Sequence, residues 1–207
     1  EVLFEEKLDL FAKLLPQAPV SWSGSTRPPL RDQRVFPLVE HPPLRTWIGV
    51  GGSPESVIRA ARYGLPLMLA IIGGDPRRFG PYADLYRQAC DKLGQPLRPI
   101  GVHSPGYVAD TDAAAREELW PDFRRMRDRI GAERGWPPMT RAEFDNEVEH
   151  GSLYAGAPET VARKIAATVR ALGLQRFQMK YSAGALSHAR LLRSIEFPVT
   201  VIDEATL

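Results

Sequence analysis

One segment near residue 50 constrains the fold of this chain more than any other feature. Residues 46–50 and 65–72 are apolar runs, and residues 55–63 between them are predicted to form a helix. Both apolar runs are continuous rather than alternating, which is typical of parallel strands that are covered on both faces. The segment therefore predicts a β-α-β unit within a parallel sheet.

The same alternation of strand and helix continues along the chain. Two more strands are predicted at residues 99–108 and 177–181. The helices predicted after or between the four strands are residues 55–63, 78–93, 112–130, 158–172 and 187–195. Four strands, each followed by a helix, are half of an eight-stranded barrel, so we predict an α/β fold of the TIM (β/α)8-barrel family. The open strand edges of a half-barrel invite pairing with another chain, and we expect a homo-oligomer.

Two segments depart from this alternation. Apolar side chains at three- and four-residue spacing predict an amphipathic helix at residues 2–15, and residues 16–45 are predicted as a loop or hairpin excursion. Residues 131–156 are predicted as an irregular excursion that carries a short helix at 141–150. We predict that the whole chain, residues 1–207, is a single domain.

The first residue is also informative. Glu1 is not a start methionine, and the residues after it already have the pattern of a helix interior. This beginning predicts that an upstream segment is missing. A processed product, a fragment and a truncated reading frame all fit it.

Charge and cysteine content argue against several classes of function. The 27 Lys and Arg residues and the 25 Asp and Glu residues leave a formal charge of +2, so we expect no nucleic-acid partner. The longest apolar stretch, residues 65–72, is far shorter than the roughly 20 residues that cross a bilayer, so we expect no membrane span. The one cysteine, Cys90, cannot form an intramolecular disulfide, which favours the reducing cytoplasm. These properties favour a small-molecule partner.

The residues between the first strand of the β-α-β unit and its helix are the strongest local signal for a binding site. Gly51 and Gly52 let the backbone turn sharply and approach a ligand closely. Ser53 is a good N-cap, and the proline after it suits the first helical turn. The free amides of this helix N-terminus, together with the hydroxyls of Ser53 and Ser56, therefore predict a phosphate site.

Two other interpretations of this loop stay open. Ser-Pro-Glu openings also occur at helices that bind nothing, so the loop is equally compatible with a well-capped helix. A dinucleotide site of the Rossmann type fits poorly, because its third glycine would fall at Pro54 and because Asp75 lies beyond the end of the second strand.

The residues around this loop also resemble a known family. Residues 47–56, WIGVGGSPES, and the pattern in residues 59–67 are similar to the fifth strand, phosphate loop and sixth strand of the bacterial luciferase-like monooxygenases. Residues 155–161, AGAPETV, with residues 172–177 resemble the segment before the family's eighth strand. The resemblance implies that the chain carries about the last four βα units of the barrel. It also implies that the glycine-serine loop binds the phosphate of FMN.

The resemblance further implies an activity. Reduced FMN, supplied by a flavin reductase or by NAD(P)H, would react with O2 and oxygenate a small organic substrate. Two alternatives share the fold: an F420-dependent oxidoreductase and a non-catalytic, flavin-binding remnant of the barrel. Strands one to four of the family's barrel have no counterpart in this sequence, and the usual catalytic histidine is missing with them. No catalytic residue is therefore assigned.

Five further positions carry weaker signals. Lys180 and Tyr181 end a predicted barrel strand, where active sites of this fold gather, and they are candidate pocket-lining residues. His103 lies in a predicted buried strand and is interpreted as a hydrogen-bonded core residue. Glu147 and His150 have the spacing of a metal-binding pair, but a di-metal site needs two such pairs. A solvated polar face is therefore favoured there, and no metal is predicted.

Overall fold

The computed structural model of the chain describes residues 1–41, 44–182 and 186–205, with side chains as far as residue 197 in the last helix. The chain divides into two compact units, Glu1–Thr46 and Trp47–Leu207. The single domain over residues 1–207 stays a prediction.

The smaller unit consists of a helix and a hairpin. Helix α1 (Val2–Leu14) is followed by strands β1 (Val20–Trp22) and β2 (Leu30–Gln33), which pair antiparallel. Trp22 is buried, and its indole Nε1 donates a hydrogen bond of 2.8 Å to Asp9 of the helix. The predicted helix is confirmed, and the predicted excursion at 16–45 contains a hairpin. Pro42 and Pro43 of that excursion lie outside the described residues.

The larger unit alternates strands and helices. Its elements are β3 (Ile48–Val50), α2 (Pro54–Arg62), β4 (Leu67–Ala70), α3 (Gly80–Lys92), β5 (Ile100–Val108), α4 (Asp112–Arg134), α5 (Arg141–Glu149), β6 (Tyr154–Gly156), α6 (Pro158–Leu172), β7 (Arg176–Lys180) and α7 (His188–Ala205). A short 3-10 turn, Pro76–Phe79, leads into α3. None of the helices in the described part of the chain combines the length and the hydrophobicity that crossing a membrane requires.

The strands of this unit form one parallel sheet. Strand β3 pairs with β4, β4 pairs with β5, and β7 lies on the other edge of β5. The last three residues of β5 pair instead with β6. The four predicted strands and their parallel arrangement are confirmed. Strand β6, within the predicted irregular excursion, was not predicted, because three residues are too few to show a periodicity.

The two faces of the sheet have different surroundings. Phe177 and Met179 of β7 pack with Val161 and Ile165 of α6, so this face is covered by helices. Residues of a strand alternate between the two faces of the sheet. The side chains of β7 on the opposite face, Arg176, Gln178 and Lys180, are exposed. In the described residues, this face of β7 is therefore the more open one.

His103 lies on the second face rather than in the core. Its register partner on β7 is Gln178, an exposed residue, and His103 itself is half-buried. Its neighbours Val102 and Ser104 point to the helix-covered face and are fully buried. The interpretation of His103 as a core residue is thus wrong, since strand alternation places it on the more open side.

Candidate functional site

The predicted phosphate loop follows β3 at the carboxyl end of the parallel strands. Gly51 and Gly52 are exposed, and Ser53 and Ser56 are half-buried. Gly52 has a φ of +132°, a conformation that residues with a Cβ rarely adopt. A Cβ at Gly51 would have no neighbour within 4 Å, so the space beside this residue is open. The sharp turn therefore depends on Gly52, and Gly51 leaves room for a ligand.

Ser53 caps helix α2 as the sequence predicts. The amide of Ser56 donates a hydrogen bond of 3.2 Å to the Ser53 hydroxyl, and Pro54 occupies the first helical turn. The Ser53 hydroxyl in turn donates to the Glu55 carboxylate at 2.8 Å. The backbone amide of Glu55 and the Ser53 hydroxyl hold the pKa of the Glu55 carboxyl below its ordinary value. The donors of this helix N-terminus thus already stabilise one negative charge.

A positive side chain lies beside the same loop. Arg59 is buried, and its guanidinium Nη1 donates a hydrogen bond of 3.1 Å to the Ser56 hydroxyl. Residues three apart on a helix share a face, so the Ser56–Arg59 spacing was a readable signal. Sequence reasoning nevertheless missed Arg59, which places a positive charge next to the Ser56 hydroxyl.

Tyr82 of α3 makes a second contact that the sequence did not reveal. Its hydroxyl donates a hydrogen bond of 3.0 Å to the carbonyl oxygen of Gly52. The two residues are 30 positions apart in the sequence. No local pattern predicts such a contact. Tyr82 fixes the peptide of the residue whose φ is unusual.

The loop after β4 lies beside the loop after β3, since the two strands are neighbours in the sheet. Gly74 has a φ of +73°, and its amide donates to both carboxylate oxygens of Glu147, at 2.9 Å and 3.0 Å. Asp75 caps the 3-10 turn through the amide of Arg77 and forms an ion pair of 2.6 Å with its guanidinium. The carboxylate needed for the dinucleotide alternative is therefore already bound to Arg77.

The weaker candidates lie elsewhere on the sheet. Lys180 is exposed at the end of β7, and Tyr181 after it is half-buried. Burial raises the pKa of Tyr181 to about 12. Burial and the positive charge of Lys180 lower the pKa of His103. The two side chains share a face of the sheet, because His103 pairs with Gln178 and Lys180 lies two residues further along β7. Strands β4 and β5 lie between β7 and β3, and therefore between Lys180 and Tyr181 and the loop after β3. A pocket-lining role for Lys180 and Tyr181 stays a prediction.

The Glu147–His150 pair is not arranged as a metal site. The Glu147 carboxylate binds the Gly74 amide, while His150 lies 3.9 Å from Glu149. Within the described residues, no group of three or more His, Cys, Asp or Glu side chains could hold a metal ion. The interpretation of a solvated face is wrong for Glu147, because its carboxylate is hydrogen-bonded to a distant loop.

Sequence comparison identifies the family of the chain. A sequence model of the luciferase-like monooxygenase family matches residues 2–176. The chain belongs to the luciferase-like monooxygenases. No curated protein matches its sequence.

This luciferase-like chain is also similar to solved structures. The monooxygenase RslO1 from Streptomyces bottropensis is 20% identical, with a TM-score of 0.79 over 99% of this chain and 61% of that one. The oxygenating constituent of 3,6-diketocamphane monooxygenase from Pseudomonas putida, solved in complex with FMN, is 18% identical, with a TM-score of 0.70 over 97% and 62%. The F420-dependent tetrahydromethanopterin reductase from Methanopyrus kandleri is 15% identical, with a TM-score of 0.56 over 87% and 57%.

These similarities confirm the predicted fold class. The luciferase-like chain is an α/β protein with a parallel sheet and forms part of a (β/α)8 barrel. It spans 61% of the length of the Streptomyces structure and 62% of the Pseudomonas structure. Identities of this order establish the fold, while cofactor, substrate and activity require their own evidence.

Proposed function

We propose that this chain is the phosphate-binding part of an FMN-dependent monooxygenase that oxygenates a small organic substrate with reduced flavin and O2. The observation that carries the proposal is the loop after β3, where Gly52 has a φ of +132° beside the capped N-terminus of α2. Helix N-termini bind phosphates through their amides and their dipole. The structure with FMN from Pseudomonas putida supports the choice of flavin.

The residues of the loop fit a phosphate group. The open space at the Cβ position of Gly51 admits an oxygen-bearing group close to the backbone. The hydroxyls of Ser53 and Ser56 can donate to phosphate oxygens, and Arg59 supplies a positive charge beside Ser56. The Glu55 carboxylate competes for the same donors, so phosphate binding requires this side chain to turn toward solvent.

These contacts indicate which roles belong to the flavin and which belong to the residues of the chain. When bound, the flavin supplies the oxygen chemistry, as cofactors of this class do. The chain's own residues hold the phosphate, fix the orientation of the attached ring system and exclude water from the bound flavin. Lys180 and Tyr181 are proposed to line the pocket from the end of β7, the usual edge for active sites in this fold.

The experiment that tests the proposal compares FMN with riboflavin, which lacks the phosphate. Binding is followed by the quenching of flavin fluorescence. We expect FMN to bind at least roughly ten-fold more tightly than riboflavin, because charge-assisted hydrogen bonds to the phosphate add to the affinity. Ser53→Ala with Ser56→Ala should remove most of that preference and leave riboflavin binding unchanged. Equal affinity of the native chain for both ligands would contradict a phosphate site.

A second candidate function uses F420 in place of FMN. Two of the solved structures with this fold are F420-dependent enzymes, a reductase and a secondary alcohol dehydrogenase. Titration with F420 under the same conditions separates the two, because the absorbance spectra of the bound cofactors differ. A chain that binds FMN but gives no product with a flavin reductase, NADH and O2 would support a non-catalytic flavin-binding remnant.

The cellular setting belongs to the same proposal. We propose a small-molecule substrate, a flavin reductase or NAD(P)H as the source of reduced flavin, a homo-oligomeric state and a cytoplasmic location. The buried thiol of Cys90 agrees with a reducing compartment. Native mass spectrometry reports the oligomeric state directly, and a strictly monomeric chain would remove that part of the proposal.

A further inference from the structure

We propose that Glu147 is a positioning residue, whose carboxylate holds the loop at residues 73–75 in place beside the phosphate loop. The effect of Glu147 on flavin binding rests on the function proposed above, whereas the effect of Glu147 on the loop at residues 73–75 does not. The sequence suggested a metal ligand or a solvated side chain at this position. The contacts of the carboxylate point to neither.

The carboxylate contacts the backbone of two loops. Both of its oxygens accept from the amide of Gly74, at 2.9 Å and 3.0 Å, and Oε2 also accepts from the amide of Ser152 at 3.3 Å. A Cβ at Gly151 would lie 2.2 Å from Oε2, so glycine at that position leaves room for the carboxylate. An ionised acceptor forms stronger hydrogen bonds than a neutral one. The carboxylate is therefore a firm anchor for the Gly74 amide.

Glu147 is itself held in place at the end of its helix. The ammonium group of Lys164, on α6, donates to the carbonyl oxygens of Glu147 at 3.3 Å and of Leu153 at 2.9 Å. Lys164 also donates to the carbonyl of Val148. The bonds to Glu147 and Val148 satisfy carbonyls at the end of α5, and the bond to Leu153 holds the segment that follows the helix. Helix α5 thus presents the Glu147 carboxylate from a fixed position.

The anchored loop is linked to the phosphate loop through the first turn of α3. Residues 73–75 continue into the 3-10 turn Pro76–Phe79 and then into α3. Tyr82, in the first turn of α3, donates to the carbonyl oxygen of Gly52. A continuous set of contacts therefore joins Glu147 to Gly52. Loss of the hydrogen bond between Glu147 and the Gly74 amide should make residues 73–82 more mobile and weaken the Tyr82–Gly52 hydrogen bond.

Hydrogen–deuterium exchange of the whole chain tests the anchor without any ligand. In Glu147→Ala, we expect hydrogen–deuterium exchange in the peptide containing residues 72–79 to be roughly ten-fold faster, because the Gly74 amide loses a charge-assisted hydrogen bond. Glu147→Gln keeps one acceptor oxygen and should give an intermediate rate. Glu149→Ala removes an exposed carboxylate from the same helix and should leave this peptide unchanged, so it is the matched control.

FMN titration of the same variants then tests the consequence for the site. We expect Glu147→Ala to weaken FMN binding several-fold, with Glu147→Gln restoring part of it and Glu149→Ala matching the native chain. Unchanged exchange at residues 72–79, or faster exchange spread evenly over the whole chain, would overturn the positioning role. If the native chain binds no FMN, the proposed flavin site fails, and the exchange result still decides the role of Glu147.

Discussion

The loops after β3 and β4 are neighbours, yet they are held in different ways. The loop after β3 is shaped mainly by its own residues, through the φ of Gly52 and the Ser53 cap. The loop after β4 is held by a carboxylate that is 73 positions away in sequence. The first can therefore be inferred from local sequence, whereas the second exists only once the chain has folded. Point changes should affect the two loops in correspondingly different ways.

The largest effect is expected from Gly52→Ala, which tests whether the first loop is locally determined. A Cβ at a φ of +132° is strained, so we expect a loss of about 1–3 kcal/mol in the free energy of unfolding. FMN affinity should fall by roughly ten-fold or more, because the loop amides shift. Urea unfolding and fluorescence titration measure the two effects.

Gly51→Ala is the matched control for that change. A Cβ at Gly51 meets no atom within 4 Å, so the free energy of unfolding should change by no more than about 0.5 kcal/mol. FMN affinity should still fall, because the added methyl group occupies the proposed phosphate space. A Gly51→Ala chain that unfolds as readily as Gly52→Ala would contradict the assignment of the strained turn to Gly52.

A smaller effect is expected from Tyr82→Phe, which tests how far the first loop depends on distant support. The change removes one hydrogen bond to Gly52, worth about 1 kcal/mol, and keeps the ring. We expect FMN to bind several-fold more weakly, with riboflavin affinity unchanged. If FMN binding is unaffected, the loop after β3 is purely local and the contrast with the loop after β4 becomes sharper.

Glu55→Gln should act in the opposite direction and more weakly. The Glu55 carboxylate accepts from the Ser53 hydroxyl and from its own amide, and it repels a second anion. Its removal should tighten FMN binding by roughly two- to five-fold at low ionic strength, with less gain in high salt. Isothermal titration at two salt concentrations measures this. Weaker FMN binding in the variant would instead assign Glu55 a supporting role in the site.

The last prediction concerns the pH dependence of the unfolding free energy, to which Lys164, the residue that supports the end of α5, should contribute. Burial lowers the pKa of Lys164 from 10.5 to about 8 in the folded chain. Between pH 8 and pH 10.5, the unfolded chain therefore binds more protons than the folded chain. The unfolding free energy should therefore rise as pH increases from 8 to about 10.5, apart from the titration of other groups. Lys164→Met should lack this part of the slope in urea unfolding. If the unfolding free energy of the native chain and that of Lys164→Met rise equally with pH, Lys164 is not the source of the rise.

Much of the larger unit was predictable because its signals are local. The apolar runs gave the four parallel strands, and the Ser53-Pro54 opening gave the capped start of α2. Strand β6 was missed because its three residues become a strand only by pairing with β5. His103 was misplaced because a run of apolar residues does not reveal which face of the sheet stays open.

The sequence by itself determined the order of the helices and of the four longer parallel strands, the family and the position of the capped, glycine-containing loop. Backbone conformation and helix capping depend on residues within a few positions of each other, so their signals survive in the linear chain. Only the tertiary structure brought Tyr82 to Gly52 and Glu147 to Gly74. Hydrogen bonds between distant residues leave no periodic trace in a sequence, because their geometry arises when the helices pack onto the sheet.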